Sequence, residues 1–485
     1  MNVLFVYSLD DIQSIQKPLR SWTDIQFGIS YISSILKAHG HRTRLAVLGN
    51  NKWEQSKGLL QPVIEEFSPQ VICFTAVFSQ YPFIYKIADY IRSRWPDKYL
   101  VIGGVHATLN PDAVINGPFN ALCVGEGEYP ILELCSQLND DRLPQGIANL
   151  WIKSSAGNIE RNKTRDFLRD LDLLPFPDRD MWIPWMHEQL DAEFSMLLGR
   201  GCPHICTYCS NHVLKKIAGG KYVRMRSPEN IIKEVDFIRN QYNSSNIYFE
   251  VESIALNKNW TFELCAELER YNNKTGKSIS YGCNFRITPH SVDEKLFTAF
   301  EKANLKKINI GLESGSERIR REVLKREYSN DDFVNTISMA RNHGLKISIY
   351  NMIGVPGETL SDHMETVRLN RLCLPDSHST SIFFPYPGTE LYETCIREGL
   401  LKGSLDMEME RRKAYLELPG FSKKQINKAF IWFDYRVYKG HKPLWVILAH
   451  VIAVKLRSNP TTNYIFRSIV QLPLLRNLRA LLARR

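Results

Sequence analysis

Gly199-Arg200-Gly201-Cys202-Pro203-His204-Ile205-Cys206-Thr207-Tyr208-Cys209-Ser210-Asn211 follows directly on the apolar run Phe194-Ser195-Met196-Leu197-Leu198. The run predicts a buried strand, which Gly199 and Gly201 end by freeing the backbone to turn. Cys202, Cys206 and Cys209 then stand at C-x3-C-x2-C spacing. Thiolates on so short a loop can converge on one metal centre, and the spacing suits a cube-shaped iron–sulfur cluster, whose usual complement is four cysteines. With three local ligands, one iron is left to bind a small molecule. Zinc sites come as paired short-spaced ligands. The chain has no second C-x2-C and no H-x3-H, and His204 and His212 flank the loop at other spacings. With 10 cysteines in 485 residues, this triple spacing arises by chance roughly 0.004 times per chain, which argues for a built metal site.

Upstream, strands and helices alternate. Val3–Tyr7 reads as a strand, Gln26–His39 as a helix closed by Gly40, and Thr43–Leu48 and Val71–Ala76 as strands. Tyr81–Trp95 reads as a helix, Tyr99–Ile102 and Ala121–Val124 as strands, and Tyr129–Leu138 as a helix. Fully apolar strands separated by helices predict a doubly wound parallel sheet over residues 1–138. Ligands of such sheets bind beyond the carboxyl ends of the strands. Those ends carry Ser8-Leu9-Asp10, the stretch Thr75–Ser79, Gly103-Gly104-Val105-His106-Ala107-Thr108, and Gly125-Glu126-Gly127-Glu128. Glycines permit close backbone approach, and hydroxyls bond phosphate or amide groups. A dinucleotide site would place G-x-G-x-x-G after the first strand, and none is there.

Residues 139–193 read as a linker. Leu150-Trp151-Ile152 with the turn Ala156-Gly157-Asn158 predicts a small hairpin, and Leu173–Asp178 is proline-rich and extended. The cluster Met181-Trp182-Ile183-Pro184-Trp185-Met186 is expected to pack between domains rather than to line a substrate space. From Phe194 the alternation resumes. Strands are expected at Phe194–Leu198, Asn246–Glu250, Ser278–Cys283, Lys307–Ile310, Lys346–Met352 and Ser379–Phe384, with helices between them. Six βα repeats over residues 194–395 suit a partial TIM-like (β/α)6 barrel, whose active site gathers at the strands' carboxyl ends. Glu250, Glu252, Asn284, Arg286, Glu313 and the turn Gly354-Val355-Pro356-Gly357-Glu358 fall there. Carboxylates suit an ammonium and ribose hydroxyls, and an arginine suits a carboxylate.

Apolar and charged fractions are those of a globular protein with sizeable cores. The N-terminus, lacking basic residues before its apolar run, reads as a first strand and not as a signal peptide. Cysteines without regular spacing outside the loop argue for a reducing compartment; Cys73, Cys123, Cys135, Cys265, Cys283, Cys373 and Cys395 are expected as core residues. The net charge of +10 is concentrated late. After Asp434 there is no acidic residue, while Lys439, Lys442, Lys455, Arg457, Arg467, Arg476, Arg479, Arg484 and Arg485 all follow it. Residues 396–485 read as a helical, basic tail. The apolar run Lys442–Leu456 is too short to span a bilayer. The stretch from Tyr464 on fits a helix on an anionic membrane surface or one reaching for a lipid-like substrate. Aromatic and basic residues do not interleave as a nucleic-acid groove requires.

At C-x3-C-x-aromatic-C, with Tyr208 in the aromatic place, the chain resembles the radical S-adenosylmethionine (SAM) superfamily. G-G-x-H-x-T with the later G-E-G-E resembles the cobalamin-binding domain that precedes many radical SAM barrels. The string D-x-H-x-x-G, whose histidine coordinates cobalt in many such domains, is absent; His39, His41 and His106 stand in other contexts. The resemblance is to the subset with no histidine below the cobalt.

That resemblance implies a [4Fe–4S] cluster on Cys202, Cys206 and Cys209, SAM on its open iron, and cobalamin on the upstream domain near Thr75, Ser79, Gly103, Gly104, Gly125 and Glu126. It implies Tyr208 against the adenine, Glu250 or Glu252 facing the methionine amino group, Arg286 and Glu313 at ribose or carboxylate, and the Gly354 turn passing the adenine. Related proteins often have F-x-D-D-x-F after the second barrel strand. Here Phe249-Glu250-Val251-Glu252-Ser253-Ile254 puts Val251 in an acidic place and leaves open which glutamate serves. The implied activity is reductive cleavage of SAM to methionine and a 5′-deoxyadenosyl radical, hydrogen abstraction from an unactivated carbon, and methylation by methylcobalamin. The expectation is a C-methyltransferase acting on a small or lipid-like metabolite, reduced by an electron donor such as flavodoxin or ferredoxin. A cyclase or other oxidative enzyme with the same cofactors, and a non-catalytic cobalamin or iron–sulfur carrier, are the alternatives. The expected location is the cytoplasm, with the tail peripheral on the inner face of the membrane and no nucleic-acid partner.

Overall fold

The structure is a computed structural model that describes every residue except 11, 13, 15, 51, 187–192, 277–278, 404, 460–461, 464–465 and 467–485. The tail beyond Phe466, read above as basic and helical, lies outside the described residues.

The first sheet contains β1 (Asn2–Leu9), β2 (Arg42–Gly49), β3 (Val71–Thr75), β4 (Tyr99–Gly103), β5 (Ala121–Cys123), β6 (Leu150–Lys153) and β7 (Ile159–Arg161), in the order β2-β1-β3-β4-β5-β6-β7. The first five are parallel, as their unbroken apolar runs require. Successive residues point to opposite faces. Leu4, Val6, Ile72, Phe74, Leu100 and Ile102 enter one core, while Val3, Phe5, Val71, Cys73 and Val101 enter the other. The order reverses between β1 and β3, which marks the crevice where such a sheet takes a ligand. The hairpin expected at residues 150–158 forms as β6 and β7 and extends this sheet antiparallel from β5.

A long helix went unforeseen. Trp53–Phe67 follows β2, with Pro62 inside it and Leu60, Ile64 and Phe67 as its buried stripe. Its polar residues and proline mask that short period in the sequence. The G-G-x-H-x-T stretch, read as a strand-end loop, coils into the short helix Val105–Leu109. The cluster 181–186 packs into the core behind the first sheet. Trp182 is wholly buried, its ring lies edge-on to Tyr7 at 5.6 Å, and its Nε1 donates to Ser30 Oγ at 2.8 Å.

The second sheet comprises β8 (Phe194–Leu197), β11 (Asn246–Glu250), β12 (Ser280–Phe285), β13 (Leu305–Glu313), β14 (Lys346–Ile353) and β15 (Ser377–Ile382), six strands in chain order. The pairs β8–β11, β13–β14 and β14–β15 are parallel. Helices such as Pro228–Tyr242, Asn330–Asn342 and Leu360–Cys373 connect the strands, and the last two start in capping boxes (Ser329 with Asp332, Thr359 with Asp362). Between β8 and β11, β9 (Gly199–Arg200) and β10 (Arg224–Met225) form a two-residue antiparallel clamp.

The chain packs as two compact bodies. One gathers Met1–Ile205, Cys209–Glu252 and Ala266–Tyr281; the other gathers Cys206–Tyr208, Ser253–Cys265 and the described part of Gly282–Arg485. In the second, a core of Ile353, Val367, Ile382, Phe421 and Phe433 joins the strands to the helices Lys423–Ile431, Phe433–Tyr438 and Leu444–Arg457. The seven cysteines outside the loop are buried and unbridged, as expected of core residues.

Candidate active site

In the first body, the clamp explains both glycines of the Gly199-Arg200-Gly201 stem. A Cβ on Gly199 would lie 2.6 Å from Arg224 O, and Gly201 is left-handed (φ +85°) with Tyr222 O against it. Arg200, one residue before the stem's second glycine, reaches the loop after β5. Its Nη1 donates to Glu126 Oε1 at 2.9 Å and its Nη2 to Glu128 Oε1 at 2.5 Å. Arg224 donates to both oxygens of Glu126, and the Leu168 N–H donates to Oε2 at 3.0 Å. Glu126, expected at cobalamin, therefore has its carboxylate engaged by two guanidiniums and an amide. Burial raises its pKa, but Arg200 and Arg224 outweigh that and hold it below the ordinary value.

Beyond the clamp, Asn211 closes the cysteine motif. Its N–H and Nδ2 lie 3.5 and 3.6 Å from Cys209 Sγ, its Nδ2 donates to Glu252 Oε1 at 3.0 Å, and its Oδ1 accepts from Tyr222 OH at 2.5 Å. Burial, Glu252, Cys209 and Cys202 all push the Tyr222 phenol up, so it stays a donor. Glu250 is differently engaged: its Oε1 accepts from Ser195 Oγ on β8 at 3.2 Å.

At the carboxyl edge of the first sheet, Gly104 is left-handed (φ +92°), and a Cβ there would lie 2.6 Å from Thr75 Oγ1 and 2.9 Å from Ala76 O. Thr75 and the Gly103-Gly104 pair are thus brought together. Gly125 (φ +85°) donates its N–H to Thr108 Oγ1 at 3.0 Å. Ser79 is nearly buried, and Gln80 Nε2 ties this loop to Ser8 O at 2.8 Å. His106 is enclosed by Tyr81 and Phe78, and burial pushes its pKa down to about 4, so it is neutral at physiological pH.

In the second body, Cys206-Thr207-Tyr208 is anchored by Thr207. Its Oγ1 donates to Val323 O at 2.6 Å, and its O accepts from Leu391 N–H at 3.0 Å. Arg286 Nη1 donates to Cys206 Sγ at 3.0 Å, while the Arg286 N–H is fixed on Ser253 Oγ at 3.0 Å. Tyr208 OH donates to Glu313 Oε1 at 3.1 Å, and Arg326 Nη1 donates to both, at 2.9 and 3.1 Å. A bulge at the end of β13 turns Glu313 inward at a left-handed φ of +63°. Burial raises the Tyr208 phenol well above its ordinary range, and Arg326 opposes it. After β14, Gly354 (φ +82°) and Val355 donate their N–H groups to the wholly buried Glu358.

The residues present fit the groups expected. For a cluster, the loop supplies three thiols, with Arg286 aimed at Cys206 and Asn211 at Cys209; N–H donors on sulfur favour thiolate ligation. Among the described residues no three His, Cys, Asp or Glu side chains lie close enough to share a single metal ion; a cluster spreads its thiolates over separate irons. For cobalamin, the edge where the first sheet reverses carries the hydroxyls of Thr75 and Ser79 and the fully buried Ser8 Oγ, which has no hydrogen-bond partner among the described residues. Sequence inspection missed Arg200, Asn211, Tyr222 and Arg326. Only the position of Asn211, two residues past the motif's last cysteine, hinted at a role.

A three-cysteine loop on a six-stranded parallel sheet, preceded by a doubly wound sheet of order 2-1-3-4-5, defines a cobalamin-binding radical SAM enzyme. Residues 25–135 match the B12 binding domain and residues 196–369 the Radical SAM superfamily, in that order, and the chain belongs to this class. Its cofactors are a [4Fe–4S] cluster, SAM and cobalamin. It is 25% identical over 436 residues to an uncharacterized methyltransferase of Pyrococcus horikoshii, covering 88% of this chain and 90% of that one. It is 23% identical over 379 residues to the anaerobic magnesium-protoporphyrin IX monomethyl ester cyclase of Rubrivivax gelatinosus, covering 75% and 65%. The solved structure of the cobalamin-dependent SAM radical enzyme OxsB with aqua-cobalamin bound shares the fold, at a TM-score of 0.69 and 16% identity over 99% of this chain and 76% of that one.

Proposed function

We propose that the chain is a C-methyltransferase that places a methyl group on an unactivated carbon of a small or lipid-like metabolite. The observation that carries this reading is the joining, in one chain, of the three-cysteine loop to an upstream B12-binding domain, over both of which the likeness to a methyltransferase extends. When bound, the cluster would supply the electron for reductive cleavage of SAM, and cobalamin would supply the transferable methyl. Cys202, Cys206 and Cys209 hold the cluster. Arg286 and Asn211 offset negative charge on Cys206 and Cys209. Glu252 is the glutamate that meets the SAM ammonium, since Asn211 links it to Cys209 while Glu250 is turned to Ser195. Tyr208, held by Glu313 and Arg326, presents its ring to the adenine, and the Gly354 turn passes beside it. Thr75, Ser79, Gly103, Gly104 and Gly125 form the cobalamin edge, with Glu126 bracing the loop. An external electron donor of the flavodoxin or ferredoxin kind reduces the cluster.

Anaerobic turnover with SAM carrying a deuterated methyl group tests the reading. Methionine, 5′-deoxyadenosine and a product heavier by the labelled methyl are expected, and all three should vanish in Cys206→Ala. Formation of 5′-deoxyadenosine with a product lighter by two hydrogens would instead establish ring closure or oxidation, the reading favoured by the likeness to a cyclase. Absence of 5′-deoxyadenosine under reducing conditions would leave only a carrier.

A further inference from the structure

We infer that the helix Leu444–Arg457 seats on an anionic phospholipid bilayer, lying in its interface rather than crossing it. One side of the helix belongs to the protein. Ile447 and Val451 are buried in the second body's core, and His450 Nδ1 is bonded to Asp434 Oδ2 at 3.0 Å. The other side is apolar and uncovered among the described residues. Leu444 is 55% exposed, Trp445 61%, Leu448 37% and Ile452 57%. At about 100° per residue these four fall on one arc of the helix, which begins beside the buried arc of Ile447 and Val451 and runs outward from it. Large apolar side chains gathered on one exposed stripe mark an interaction surface, whereas scattered ones do not.

The charge around the stripe selects the occupant. Lys442 stands just before the helix, Lys455 and Arg457 close it, and no acidic residue occurs between Asp434 and the end of the chain. Asp434 itself is engaged by His378 Nε2 at 2.8 Å and by His450. An apolar stripe bearing a tryptophan, with lysines at its ends, matches a bilayer interface with anionic headgroups: the rings and leucines enter the acyl boundary while the ammonium groups stay at headgroup level. An acidic protein surface would answer the lysines and arginine but would leave the stripe wet. The helix has 14 residues, about 21 Å, against a hydrocarbon core of about 30 Å. Among the described residues no helix is long and apolar enough to cross a membrane. The inference does not depend on the reaction proposed above.

Co-flotation of the full-length protein with vesicles tests it. Binding is expected to phosphatidylcholine vesicles containing phosphatidylglycerol, and to fall off sharply for pure phosphatidylcholine and at high salt. Trp445→Ser with Leu448→Ser and Ile452→Ser should abolish flotation with SAM binding unchanged, because Trp445 and Ile452 are more than half exposed and none of the three belongs to the proposed site. Lys442→Gln and Lys455→Gln should each weaken binding about fivefold. No flotation with anionic vesicles, or flotation that survives the triple serine variant, overturns the proposal. So does a wild-type dimer that the triple variant turns into a monomer, since the stripe would then be an interface between copies. If deleting residues 467–485 creates binding that the full chain lacks, the chain's own end is the occupant and the proposal fails.

Discussion

Glu358 illustrates how a single buried carboxyl sets a pH dependence. It is 1% exposed, and one oxygen accepts the N–H groups of Gly354 and Val355. Burial pushes its pKa from an ordinary 4.5 up to about 8, against the pull of those two amides. Between these values the folded chain keeps a proton that the unfolded chain has released. The stability this carboxyl adds is full below pH 4.5 and is lost as pH rises through about 8. Replacement by glutamine preserves an acceptor for both amides and removes the titration. Urea denaturation across that window should show wild-type stability falling relative to Glu358→Gln, by up to about 1.4 kcal/mol per pH unit. Parallel pH profiles for the two proteins would refute the assignment. Other residues gain their meaning in the same way, from what surrounds them. Tyr208 was legible as an aromatic in a motif, but Arg326, the cation that fixes it, lies 118 positions further on. Nothing in the letters around Arg326 distinguishes it from a surface arginine.

At the scale of elements, the loops after β3 and β4 fit together through a missing side chain. The backbone at Gly104 is left-handed, and the space a Cβ would fill is taken by Thr75 Oγ1 and Ala76 O. Gly40, which ends the helix Phe27–Ala38, is left-handed too (φ +79°) but has nothing within 4 Å of its would-be Cβ. Gly40→Ala should therefore lower stability by about 1 kcal/mol, from backbone strain alone, and Gly104→Ala by about 2–3 kcal/mol, because strain and overlap add. Thermal or urea unfolding followed by circular dichroism distinguishes the two; equal losses would mean that the loop yields at no cost. The strands were legible because both faces of the first sheet are buried, and apolar runs bounded by glycine admit few other readings. The helix Trp53–Phe67 was not, since three buried apolar residues across fifteen positions and an internal proline give a faint period.

For the molecule as a whole, the pairs between Arg200 and Glu126 and Glu128 connect residues 74 and 72 positions apart. They tie the stem of the cysteine loop to the loop after β5, so that segments of the two matched domains share one charge network within the first body. Burial alone would favour the neutral form of Arg200, but Glu128 and Glu126 hold it charged. A double-mutant cycle of Arg200→Met and Glu126→Gln should give a coupling above about 1 kcal/mol by chemical denaturation. A coupling near zero would mean that the two loops are held independently.

The sequence by itself determined the three thiols of the cysteine loop, the alternation behind the parallel strands of each sheet, and the order in which the two cofactor domains follow one another. These are properties of spacing and period, which a chain carries before it folds. Only the tertiary structure decided that Glu126 is braced by Arg200 and Arg224, that Glu252 and not Glu250 shares Asn211 with Cys209, and that Arg286 rests on a cysteine sulfur. A charged side chain has several partners within reach of its length. Which one it takes depends on the groups that folding buries beside it, because a buried charge is costly unless it is paired.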